Sequence, residues 1–227
     1  MADNSSIAAA ASSRRVFFHF FGGFPVNVFI CIFARHGKRQ ETGKRMVAIL
    51  ASGNGSNAQA VVEFFRARGE DPGFVFFSNR KEAGVWQRAQ LLSVPIHYIT
   101  APDDGARLAA QLEGARIVVL AGYLKKIPPE ITQKFFVVNL HPSLLPKFGG
   151  KGMYGIHVHR AVLAAGEKTT GITVHKVSDE YDEGQILFQQ TLPVPDGATP
   201  ESLAAAVHAL EHQYFPAWIW ELYRRHA

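Results

Sequence analysis

Phe135-Phe136-Val137-Val138-Asn139-Leu140-His141-Pro142 begins as an apolar run and ends in an amide, an imidazole and a proline. The apolar part predicts a buried strand. Side chains alternate between the faces of a strand, so Asn139 and His141 emerge on the same side. Pro142 lacks an N–H and disfavours a helical conformation at His141, which ends the strand. Ligands of open α/β sheets bind at the carboxyl ends of strands, and we therefore expect a reaction centre here.

The segment that begins at Met46 alternates short apolar runs with helical ones. Strands are predicted at 47–51, 73–78, 94–99, 116–121 and 135–139. The helices between them are predicted to end near Arg68 and to cover 83–92, 103–113 and 129–134. This alternation indicates an α/β fold with a parallel, doubly wound sheet. After a glycine-rich loop, the pattern predicts a helix at 156–165, strands at 171–177 and 185–194, and a last helix capped by Thr199.

Charge is distributed unevenly along the 227 residues. Residues 1–45 carry seven basic and two acidic side chains, which accounts for the whole net charge of +5, and residues 46–227 carry 17 of each sign. The neutral body gives no basic footprint for nucleic acid, and we expect no nucleic-acid or membrane partner. The single cysteine, Cys31, excludes an intramolecular disulfide and favours a cytoplasmic location.

Residues 1–45 differ from the rest, and we treat them as an N-terminal extension to a single domain at 46–227. Their apolar stretch, 16–34, is interrupted by Gly22, Gly23 and Pro25. The favoured interpretation is a disordered segment, or one translated from a misplaced start, with Met46 as the true first residue. A targeting or anchoring segment and a folded accessory element are the alternatives.

Gly53-Asn54-Gly55-Ser56-Asn57-Ala58 follows a predicted strand and opens a helix. It fits the dinucleotide pattern G-x-G-x-x-A, but the acidic residue expected about 20 positions later is missing, so NAD is not favoured. The N–H groups of such a turn suit one phosphate. A plain tight turn is the alternative.

Histidines form two candidate metal motifs. His208-Ala209-Leu210-Glu211-His212 spells the zinc signature H-x-x-E-H, but no third ligand accompanies it. His157 and His159 point in different directions on a helix and are interpreted as ordinary surface histidines. We therefore expect no metal.

The acidic string at 179–184 lies between two predicted strands. A solvated turn is the default interpretation. Asp182 becomes functional only if the fold brings it to His141, where a carboxylate would raise the pKa of the imidazole. His175, inside the preceding strand, is interpreted as a packed core or sheet-face histidine.

Residues 46–223 as a whole resemble the phosphoribosylglycinamide formyltransferases, a folate-dependent family of purine synthesis. The matching motifs are Ala51-Ser-Gly-Asn-Gly-Ser-Asn57, Val75-Phe-Phe-Ser-Asn79, Val119-Leu-Ala-Gly-Tyr123, Asn139-Leu-His-Pro-Ser-Leu-Leu-Pro146, Gly171-Ile-Thr-Val-His175, residues 179–184 and Glu211-His212. The resemblance implies a Rossmann-like formyltransferase fold, with a mostly parallel central sheet flanked by helices, a C-terminal hairpin-like extension and a long last helix. It also implies 10-formyltetrahydrofolate as formyl donor and glycinamide ribonucleotide as acceptor.

By the same resemblance, Asn139, His141 and Asp182 match the catalytic trio. The residues that match substrate contacts are Gly55, Ser56, Asn57 and Glu211. The residues that match the folate pocket are Leu124, Lys125, Lys126, Ile127, Asn139, Glu180, Tyr181 and Asp182. Lys147, Gly149 and Gly150 are further candidates for substrate contact, and Arg107 is a candidate for the folate tail. A monomer or a homodimer is expected.

Three other functions compete with this interpretation. Formyltetrahydrofolate deformylase, a hydrolase in which water replaces the amine, carries a regulatory domain for which residues 1–45 are too short and irregular. Methionyl-tRNA formyltransferase would bring a basic tRNA-binding domain. A non-catalytic nucleotide-binding module explains the glycine-rich turn but not the trio.

Overall fold

The computed structural model describes residues 46–226, so the interpretations of residues 1–45 concern a segment outside this range. The described strands are β1 (Met46–Leu50), β2 (Phe74–Ser78), β3 (Ile96–Tyr98), β4 (Ala115–Leu120), β5 (Phe136–His141), β6 (Thr169–Lys176) and β7 (Ile186–Pro193). The described helices are α1 (Ser56–Arg66), α2 (Val85–Leu91), α3 (Gly105–Gln111), α4 (Pro129–Lys134), α5 (Ile156–Ala164) and α6 (Pro200–Arg225). Every predicted element is present, with ends that differ by a few residues.

All seven strands form one sheet in the order β3-β2-β1-β4-β5-β6-β7. The first five strands run parallel, and β6 and β7 are antiparallel to their neighbours. The predicted mostly parallel sheet is confirmed, and β6 with β7 forms the hairpin-like extension. Chain order reverses between β1 and β4, because β2 and β3 lie on one side and the later strands on the other.

The core occupies both faces of the sheet. On β1, Val47 and Ile49 pack in the cluster that includes the buried residues of α1, α2, α5 and α6. Ala48 and Leu50 point to the opposite face and pack with residues of α3 and α4. All four are fully buried, as expected for a strand covered by helices on both sides.

Helix α6 spans 26 residues and connects the core to the carboxyl edge of the sheet. It begins with a capping box, in which Thr199 Oγ1 accepts from the Ser202 N–H and Ser202 Oγ accepts from the Thr199 N–H. Its buried residues include Leu210 and Glu211, so one face of the helix carries both core and polar side chains. Within residues 46–226, no helix combines the length and the apolar character needed to cross a membrane.

Candidate active site

The end of β5 meets the turn that joins β6 to β7. Asp182 Oδ2 lies 3.5 Å from His141 Nδ1, and Asp182 Oδ1 lies 3.4 Å from Asn139 Nδ2. Asn139 and His141 therefore share a face of the strand, as their spacing predicts. The condition placed on Asp182, that the fold bring it to His141, is met.

Asp182 is held in an uncommon backbone conformation by the loop at 147–155. Its φ is +57°, a left-handed value that short polar side chains tolerate better than most. The Gly150 N–H donates to Asp182 Oδ2 at 2.9 Å. A Cβ at Gly149 would lie 2.6 Å from Leu145 Cδ2 and 3.1 Å from Asp182 Cβ, so glycine lets the loop pass close to the carboxylate.

His175 also belongs to this group, although its sequence context indicated only a packed histidine. It is the antiparallel partner of Asn139 across β5 and β6. Its Nε2 lies 3.0 Å from Asn139 Nδ2 and 3.5 Å from Asp182 Oδ1. The side chain is buried, as expected, but it also orients the amide and the carboxylate. The detectable signal was its position in a strand that pairs with β5.

Burial decides the protonation of His141. Desolvation lowers the pKa of the imidazole, against the opposing effects of Asp182 and of the Phe148 carbonyl. The expectation that the carboxylate would raise this pKa is wrong, because removal of water from the ring outweighs the charge pairing. His141 Nε2 lies 2.8 Å from the Phe148 oxygen, which can only accept, so Nε2 carries the hydrogen.

Asp182 remains ionised beside this neutral ring. Burial would raise the pKa of its carboxyl, but the hydrogen bond with His175, the nearby His141 and the Gly150 N–H together lower it. The site thus combines an ionised acceptor, a neutral imidazole and a primary amide within hydrogen-bonding reach of one another.

These groups line one cavity of about 880 Å³ at the carboxyl edge of the sheet, a size typical of small-molecule sites. Every residue assigned a catalytic, substrate or folate role from the sequence lines it. They are Gly55, Ser56, Asn57, Leu124, Lys125, Lys126, Ile127, Asn139, His141, Glu180, Tyr181, Asp182 and Glu211.

One end of the cavity is the turn at residues 53–57. Gly55 has a φ of +75°, and a Cβ there would lie 2.7 Å from Val85 Cγ2, so both conformation and space require glycine. The turn leads directly into α1, whose first N–H groups have no partners within the helix. Asn57 Nδ2 donates to Glu211 Oε2 at 2.8 Å, which joins the turn to α6. This end suits an anionic group.

The opposite end is formed by the two segments that match a folate pocket. Lys126 Nζ lies 3.6 Å from Glu180 Oε2 and 5.6 Å from the centre of the Tyr181 ring, so the segments touch. Leu124 and Tyr181 are exposed there, at 38% and 37%. This end therefore offers apolar and aromatic surface with a cation at its edge.

Other candidates fall differently. Gly150 contributes its N–H, but Lys147 pairs with Glu167 at 2.8 Å and does not line the cavity. Arg107, the candidate for the folate tail, lies beside Asp104, also outside the lining.

The two histidines that begin α5 separate. His157 is exposed, as expected, but His159 is buried and lines the cavity, with no partner for its Nδ1. Its assignment as a surface residue was wrong because the helix turns that side chain inward. In the described part of the chain, no group of three or more potential ligands is arranged to hold a metal.

An open α/β sheet with a polar cavity at its strand ends is the architecture of a small-molecule enzyme. Residues 45–219 match the family model described as formyl transferase. The chain is 37% identical over 191 residues to the chloroplastic phosphoribosylglycinamide formyltransferase of Arabidopsis thaliana, covering 79% of this chain and 65% of that protein. The chain belongs to the formyl transferase family.

Bacterial relatives give the same result. Identity to the phosphoribosylglycinamide formyltransferase of Escherichia coli strain K12 is 32% over 182 residues, covering 75% of this chain and 83% of that protein. The crystal structure of phosphoribosylglycinamide formyltransferase from Bacillus halodurans matches with a TM-score of 0.70 at 29% identity, covering 78% and 95% of the two chains. The predicted fold class and family resemblance are confirmed.

Proposed function

We propose that this protein transfers the formyl group of 10-formyltetrahydrofolate to the amine of phosphoribosylglycinamide, a step of purine (IMP) biosynthesis. The proposal is carried by the meeting of Asn139, His141 and Asp182 in a cavity that has an anion-binding turn at its other end. The names of the Arabidopsis and Escherichia coli relatives support the choice of substrate.

In the proposed reaction, the neutral amine attacks the formyl carbon and forms a new C–N bond. The carbonyl electron pair moves onto oxygen, which becomes an oxyanion. Asn139 Nδ2–H and His141 Nε2–H are the donors for that oxygen, and such donors contribute about 3–4 kcal/mol each in the transition state. In the unliganded site these hydrogens are bound to Asp182 at 3.4 Å and to the Phe148 carbonyl, and substrate would replace both acceptors.

Asp182 manages the proton. Because its pKa is lowered, the carboxylate is ionised at neutral pH and can accept the proton that the attacking nitrogen loses, directly or through water. The same proton then passes to N10 of the folate as the C–N10 bond breaks and the oxyanion collapses to the new formamide. No covalent enzyme intermediate is needed, because the two substrates bind together and react directly.

The deformylase hypothesis uses the same trio with water as nucleophile. It leaves the turn at 53–57 and its link to Glu211 without a ligand. The two functions separate in an absorbance assay of 10-formyltetrahydrofolate consumption, with and without phosphoribosylglycinamide. We expect turnover only with the ribonucleotide, and equal rates in its absence would overturn the proposal.

We also propose that a single copy of the chain, with small molecules as its partners, carries out this reaction in the cytoplasm. Every assigned residue lines one cavity of one chain, and a single cysteine suits a reducing compartment. Specific activity should be unchanged by dilution through any monomer–dimer transition. A fluorescent fusion of the full chain should be cytoplasmic, and its accumulation in an organelle, the location in the Arabidopsis protein's name, would contradict the placement.

A further inference from the structure

The string at 208–212, which resembled a zinc motif, lies at the anion-binding end of the cavity. His208 Nε2 is 3.2 Å from Ser56 Oγ, in the first turn of α1. His208 Nδ1 is 2.9 Å from Glu211 Oε2, the same oxygen that accepts from Asn57. The ring therefore connects α6 to the turn, although formyl transfer itself assigns it no part.

Glu211 creates an electrostatic problem for this end of the cavity. Its carboxylate is hydrogen-bonded to Asn57, one residue from Ser56, so it lies close to the place proposed for a phosphate. Two negative groups at such a distance repel each other. Arg88 of α2 also faces the pair, but its guanidinium is bound to the Asn54 carbonyl and to Gln59.

We propose that protonated His208 is a substrate-binding residue that neutralises Glu211 and donates to the phosphate held by the turn at 53–57. This inference rests on the proposed function, since it takes phosphoribosylglycinamide as the phosphate-bearing ligand. One ring nitrogen donates to the carboxylate and the other lies beside Ser56 Oγ, so only the protonated ring has a donor for each.

The surrounding charges favour a proton on this ring. The hydrogen bond with Glu211 is the largest influence and raises the pKa of His208, while burial and Arg88 lower it. His212, whose ring centre lies 4.2 Å away, has its pKa lowered by burial and by His208, despite Glu211 and Glu63 of α1. The two histidines thus share one proton, and it resides on His208.

The proposal predicts how phosphate affinity changes with pH. A phosphate monoester becomes a dianion above its second pKa of about 6. His208 keeps its proton above its ordinary range and loses it as pH rises through the raised value. Binding should therefore be tightest near neutral pH and weaken towards about pH 9, where the uncompensated charge of Glu211 opposes the ligand.

The test measures the Kd of ribose 5-phosphate by calorimetry at about pH 7 and pH 9, because this probe has the phosphate but no amine. At about pH 7, His208→Gln should bind about tenfold more weakly than the unsubstituted protein, the loss expected for one partly exposed charge-assisted hydrogen bond. His208→Lys should retain affinity at both pH values. His212→Gln is the matched control and should keep the affinity and the pH dependence.

Equal affinity in His208→Gln, or an equal loss in His208→Lys, would overturn the charge role. So would loss of the pH dependence in His212→Gln, or no binding of ribose 5-phosphate by the unsubstituted protein. The side chain of His208 is 45% exposed, so the substitutions disturb little packing. Formyl transfer to phosphoribosylglycinamide, measured separately on the unsubstituted protein, distinguishes failure of this inference from failure of the proposed function.

Discussion

Asp182→Asn removes the charge at the centre of the site while preserving its shape. If Asp182 carries the proton, kcat should fall by about 10²- to 10⁴-fold, the range for a general acid–base group, which corresponds to about 3–5 kcal/mol. Oδ1 and Oδ2 face donors on different elements, Asn139 on one side and Gly150 on the other. An amide can accept at only one of these positions, so we also expect a loss of about 1–3 kcal/mol in stability.

The assay compares kcat and the KM of each substrate for the unsubstituted protein, Asp182→Asn and Glu183→Gln. Glu183 is exposed on the same turn and does not line the cavity, so its variant should have normal turnover. A fall in kcat with nearly unchanged KM values supports a proton-transfer role. Turnover of Asp182→Asn within a few-fold of normal would refute the reasoning.

The same variant makes a separate prediction about stability and pH. The pKa of Asp182 is lowered in the folded protein, so its contribution to stability is present above the unfolded value of about 3.9. That contribution is lost as pH falls through the folded value. The difference in thermal midpoint between the unsubstituted protein and Asp182→Asn should therefore shrink in acid, and a difference that grows there would contradict the assignment.

Three further predictions concern the turn, the extension and the buried histidine. Gly55→Ala should lower stability by about 2 kcal/mol or more in denaturant titration, because of its positive φ and the contact with Val85, whereas Gly53→Ala, with nothing within 4 Å of the added Cβ, should lose much less. Similar losses in both would contradict this. Deletion of residues 1–45 should leave kcat and both KM values unchanged, because every assigned residue lies beyond Met46; a folded but inactive product would show that 46–227 is not a sufficient domain. Burial lowers the pKa of His159, with Glu211 opposing, so the unfolded chain binds this proton more readily below about pH 6.5. His159→Gln should therefore reduce the fall in thermal midpoint between about pH 7.5 and pH 5.5, and an unchanged slope would exclude that contribution.

The parallel part of the sheet was predictable because its determinants are local. Buried strands such as β4 are continuous apolar runs, and alternation along β5 places Asn139 and His141 on one face. The antiparallel direction of β6 and β7 leaves a weaker local pattern, since it depends on which edge of the sheet the chain returns to. The hairpin-like extension was therefore expected from family resemblance, and not from periodicity.

The rest of the site depends on long-range packing. Asp182 reaches His141 only through the register in which Asn139 pairs with His175, and no short motif encodes that register. The same pairing places His175 beside the amide, which its own neighbours in sequence do not indicate. The pKa of His141 could not be deduced either, because the cost of burial depends on how completely the fold removes water from the ring.

The most direct test of the central claim follows the formyl group itself. 10-Formyltetrahydrofolate labelled at the formyl carbon is incubated with the protein and phosphoribosylglycinamide, and the labelled products are separated. Direct transfer predicts one labelled formyl group on the ribonucleotide for each folate consumed, with no labelled formate. Label released as formate, at a rate independent of the ribonucleotide, would contradict the account.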